Sequence, residues 1–102
     1  MTSTWKDAER RVARKLGGKR VGCTGLETPD VVTEWLVVEV KHRQRFPLWL
    51  TGALAQAVKH ATPEELPLAV LHEHGKHDSL VVMRLSDFCD WFVSGREMAE
   101  VE

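Results

Sequence analysis

Leu36-Val37-Val38-Glu39-Val40-Lys41 is the stretch that decides how this chain is read. Side chains alternate faces along a strand, so Leu36, Val38 and Val40 share one face and Val37, Glu39 and Lys41 the other. A carboxylate and an ammonium thus lie together at the polar end of one strand. Nine residues upstream of Glu39, Pro29-Asp30 sets a second carboxylate at the start of a strand expected to be its neighbour. Two converging carboxylates repel unless a cation separates them, and hard oxygen donors suit Mg²⁺, with Mn²⁺ as a substitute. The alternative is a cross-strand Lys–Glu pair, with Asp30 a plain turn residue.

A third acid bears on that choice. Trp5, Glu9, Val12 and Leu16 follow the spacing of one helix face, which puts Glu9 inside an apolar stripe. A carboxylate there requires a partner or a metal, because burying it unpaired is costly. Otherwise Glu9 sits at the margin of the stripe and pairs with Arg10, Arg11 or Arg14.

Around this centre the punctuation predicts the order α-β-β-β-α-β-β-α. Ser3 or Thr4 caps the first helix and Gly17-Gly18 stops it. Strands follow at Lys19 to Cys23, Asp30 to Thr33 and Leu36 to Lys41, close enough in sequence for an antiparallel hairpin or meander. Pro47 opens a helix from about Leu48 to His60. Leu68 to His72 and Leu80 to Leu85 flank a polar turn. Ser86 caps a last helix with Phe88, Trp91 and Phe92 on its apolar side; Gly95 ends it and 96–102 is a loose tail. The expected fold class is α/β, one mixed central sheet with helices packed on it, in a single domain spanning 1–102.

With 102 residues, 43% hydrophobic and 28% charged, the chain is in the globular range and can bury one modest core. No apolar run reaches the ~20 residues of a membrane helix. The opening Met1-Thr-Ser-Thr-Trp-Lys-Asp lacks a signal-peptide stretch, and Cys23 and Cys89 are too few for a disulfide scaffold, which together predict a cytoplasmic protein. Both cysteines read as small buried apolar residues. The net charge of -1 conceals a split: residues 1–60 carry 11 Lys and Arg against 6 Asp and Glu, residues 61–102 carry 3 against 9. Such asymmetry suits a polyanion facing the first half, or a simple mixing of signs on the folded surface.

Glu9 in a first helix, Pro29-Asp30, and Glu39-Val40-Lys41 together resemble the PD-(D/E)XK nucleases. Within that superfamily the chain is most similar to the small Holliday junction resolvases of archaea and their phage and bacterial relatives. The likeness runs over residues 4–93 and includes Glu9-Arg10-Arg11-Val12-Ala13 and Leu16-Gly17-Gly18-Lys19-Arg20-Val21. It implies a restriction-endonuclease-like core and a DNA endonuclease activity. It also implies that Asp30, Glu39, the Val40 carbonyl and Glu9 hold the metal and that Lys41 is the catalytic lysine. Gln56 matches a polar position near the site in related nucleases, or is an ordinary solvent-facing helix residue. Thr24 stands where resolvases more often have Ser in a substrate-contacting loop, or is a turn residue.

The chemistry agrees with this resemblance. Phosphodiester hydrolysis needs a nucleophilic hydroxide, a Lewis acid and positive charge at the transition state; carboxylate-bound Mg²⁺ supplies the first two and Lys41 the third. Lys6, Arg10, Arg14, Lys19, Arg20, His42, Arg43 and Arg45 are candidate phosphate contacts, with 41–45 the most concentrated cluster. Taken singly, each also reads as a solvated surface charge, and for most of them that reading is the expected one. Symmetric cleavage of a four-way junction needs two sites, so the resolvase reading predicts a C₂ homodimer. Three functions stay open: a junction resolvase, a same-fold nicking, flap or restriction-type nuclease, and a module that binds DNA or a protein without cleaving.

Weaker features are the histidines and the aromatics. His72, His74 and His77 with Asp78 resemble a zinc site, but a hairpin turn points adjacent histidines apart. Trp91 and Phe92 read as core rather than a base-stacking platform. Trp49 and Leu50 fit either core or a dimer surface.

Overall fold

A computed structural model of the chain describes residues 5–21 and 28–94. It is a mixed α/β protein with three helices and two small antiparallel sheets, in the element order expected. The chain divides into two compact units, Met1–Gln44 and Arg45–Glu102. Ser3, Thr4, Cys23, Thr24, Gly95 and the tail 96–102 lie outside the described residues.

In the first unit, α1 (Trp5–Leu16) buries Glu9, Ala13 and Leu16, the i, i+4, i+7 face that the apolar spacing marks out. Gly17 ends the helix with φ 69, the left-handed conformation that glycine adopts without a Cβ penalty. The chain then turns at once into β1 (Lys19–Arg20), which pairs with β2 (Val31–Val32), and β2 pairs with β3 (Val37–Val38). Thr33 closes the β2–β3 turn by accepting the amides of Trp35 at 3.2 Å and Leu36 at 3.0 Å on its hydroxyl. Val31, fully buried on the central strand, is the centre of this unit's core with Ala13 and Leu16.

Gly18 is required by a close approach. A Cβ there would meet the Val32 carbonyl oxygen at 2.5 Å and the Thr33 methyl at 2.7 Å. Backbone cannot move aside as a flexible side chain does. Gly18→Ala should therefore destabilise the fold by about 1–3 kcal/mol by prising α1 and β1 off β2. Urea denaturation checks this, and a stability equal to the parent chain's would refute the close approach.

The second unit opens on Pro47, the N-cap of α2 (Leu48–His60), bounded as expected. β4 (Ala69–His72) and β5 (Ser79–Val82) form a hairpin whose turn uses Gly75 at φ 84. α3 (Leu85–Phe88) runs on into a π-helical stretch, Cys89–Val93. Ala69 and Val93 are buried here.

Three expectations are corrected. Pairing among the described strands is antiparallel throughout, in two sheets instead of one mixed sheet. Short turns between successive strands select antiparallel hairpins. Ser86 is not a cap: the helix starts two residues earlier, with Arg84 at its N-cap and paired to Asp87 at 2.8 Å. Trp91 and Phe92 are exposed and Cys89 is half-buried, because the π-helical step departs from the 3.6-residue period that would have gathered them inward. On α2 no residue is buried: Trp49 is exposed and Leu50 half-buried.

Candidate active site

Asp30 is the fixed point of the site, and its placement follows from strand register. Val31 lies opposite Val38, so Asp30 and Glu39 come next across the same antiparallel pair. The Asp30 amide donates to the Val38 carbonyl at 3.0 Å, and its carbonyl accepts the Val21 amide at 2.9 Å. Its side chain is held as well: the Val40 amide donates to Oδ2 at 2.7 Å. The same residue is thus anchored to both neighbouring strand segments through three backbone partners.

The hydrogen bond from the Val40 amide holds the Asp30 carboxyl below the usual carboxylate range. Partial burial opposes this, while side-chain hydrogen bonds with Glu39 and Glu9 and the nearby charge of Lys41 act in the same direction as Val40. Asp30, Glu39, Glu9 and Lys41 therefore share one microenvironment. Glu39 and Lys41 are exposed, whereas Val38 and Val40 turn partly inward, the alternation that the strand reading implies.

Glu9 reaches the cluster from α1 and is only 6% exposed. Its partner is neither Arg10, Arg11 nor Arg14 but Arg20 on β1, whose Nε donates to Oε2 at 2.5 Å. The sequence placed Arg20 among the phosphate contacts; the structure gives its guanidinium to Glu9. The Gly17-Gly18 turn carries the information, since it folds β1 back along the face of α1 that holds Glu9. Arg20 also lies 5.8 Å from the centre of the Trp5 ring.

Of the other basic residues, Lys6, Arg10, Arg14, Lys19, His42 and Arg43 are exposed in the first unit. Arg10 contacts Asp7 at 3.3 Å, an exposed pair worth little energetically. Arg45 and Gln56 belong to the second unit and are exposed there. His72 Nδ1 lies 3.1 Å from the Ser79 hydroxyl.

Asp30 and Glu39 fit a small hard cation in kind and number. Mg²⁺ is commonly held by one or two carboxylates while retaining several waters. Val40, expected to offer its carbonyl, meets the site through its amide. Glu9 is engaged with Arg20, and among the described residues no group of three or more His, Cys, Asp or Glu is arranged to hold a metal. Among those residues no helix is long and apolar enough to cross a membrane. The chain matches no family model, no curated protein and no solved structure.

Proposed function

We propose that this chain is a Mg²⁺-dependent DNA endonuclease of the PD-(D/E)XK type, built on a restriction-endonuclease-like core. Within that class we assign it to structure-selective junction resolvases acting as homodimers in the cytoplasm. One observation carries the reading: a backbone-anchored Asp30, ionised at neutral pH, beside Glu39 and within the field of Lys41.

Asp30 and Glu39 would hold Mg²⁺, which supplies Lewis acidity at the phosphoryl oxygen and lowers the pKa of water. Lys41 places positive charge where the transition state gains negative charge and orients the attacking water. Arg20 holds the Glu9 carboxylate in place through their ion pair. Exposed Arg14, Lys19 and Arg43 offer contacts to flanking phosphates. A second reading, a DNA-binding module without catalysis, draws on one fact: Arg20 already neutralises Glu9.

Incubation with Mg²⁺ and labelled four-way junction, flap, duplex and single-stranded DNA tests the proposal, with Asp30→Asn as control. Paired symmetric cuts confined to the junction, abolished by Asp30→Asn, are the expected result. Cuts in flap or duplex would retain the chemistry and reassign the substrate. Binding without any cleavage would leave the module reading in its place.

A further inference from the structure

Trp5 opens α1 with its indole 52% exposed, although its spacing places it on the same helix face as Glu9. It lies one helical turn from Glu9, and both touch Arg20: the guanidinium bonds to Glu9 and sits 5.8 Å from the indole centre. The Lys6 ammonium stands 5.4 Å from the same ring. Lys6, Arg10 and Arg14 then continue along α1 at four-residue spacing, all exposed, setting one cation about every 6 Å along the helix.

An exposed aromatic face at the head of a row of cations is the combination that holds single-stranded nucleic acid. The cations follow the phosphates, and the ring takes an unpaired base, since every base offers a π-face. A purely apolar partner would desolvate these charges, and a paired duplex has no free base face to present.

We propose that Trp5 is a stacking site for an unpaired nucleobase of the DNA strand that passes the Asp30–Glu39 cluster. Lys6 holds the adjoining phosphate, and Arg20 keeps the ring in register with the acids. The inference rests on the nuclease reading for its substrate and adds a preference for DNA with locally unpaired bases.

Trp5→Leu and Trp5→Phe test it by binding to a single-stranded oligothymidylate and to a fully paired duplex of equal length. EDTA is present, so that cleavage plays no part, and thermal melting of each variant verifies folding. Trp5→Leu should weaken single-strand binding about tenfold or more and leave duplex binding within about twofold. Trp5→Phe, which keeps a π-face, should restore most of the affinity. Equal losses on both DNAs, no loss on either, a Trp5→Phe as weak as Trp5→Leu, or no binding by the parent chain would each overturn the stacking site. Trp5-dependent single-strand binding without Mg²⁺-dependent cleavage would overturn the nuclease reading alone, and cleavage with Trp5-independent binding would overturn the stacking site alone.

Discussion

On the nuclease reading proposed above, Lys41→Met is expected to slow DNA cleavage by about 10²–10³-fold while leaving fold and Mg²⁺ affinity nearly unchanged. Lys41 is exposed, so methionine replaces its stem without opening a cavity. Its ammonium acts on Asp30 through charge, and it is not among the oxygen donors that fit the cation. The loss should fall on the single-turnover rate at saturating Mg²⁺, because the missing charge is needed where the transition state becomes more negative. A cleavage rate within threefold of the parent chain's would remove Lys41 from the site. Loss of Mg²⁺ binding in equal measure would give it a part in assembling the acids instead.

The second large effect concerns stability. Arg20→Met removes the cation from a Glu9 carboxylate that is 6% exposed, leaving a buried charge without its counterion. Removing one partner of a buried pair costs about 3–5 kcal/mol. The Arg20 side chain is 23% exposed, which favours the lower end. In a chain of this length each kcal/mol lowers the melting temperature by about 4–8 °C, so a fall of about 12 °C or more is expected. Adding Glu9→Gln should recover part of it, since the stranded charge is then gone. Mg²⁺ should stabilise Arg20→Met more than the parent, because a cation among the acids takes over the lost neutralisation. A single variant melting within 2 °C of the parent would show that Glu9 does not depend on Arg20.

How much of this was legible beforehand differs between local and long-range features. Helix α2 was readable from about Leu48 to His60 because Pro47 marks its start. The alternation from Leu36 to Lys41 was readable because the two-residue period is intrinsic to extended chain. Strand lengths were not: runs such as Leu36 to Lys41 narrow to two paired residues, since pairing depends on what the neighbouring strand presents. Arg20 illustrates the long-range case. Helical spacing showed that Glu9 needed a partner and proposed arginines on its own helix, but the choice depended on where the Gly17-Gly18 turn sends the next strand. For α2 the sequence left core and dimer surface both open, since apolar composition alone does not say what covers a helix face.

That turn has a bearing on how the site could change. Only two glycines separate the end of α1 from β1, so there is no slack between the rotation of the helix and the strand that carries Arg20. Adding or deleting one residue between Glu9 and Gly17 would swing the carboxylate about 100° around the helix axis. The phase of α1 is therefore a gauge for the acid cluster: a change in its length uncouples Glu9 from Asp30 in one step.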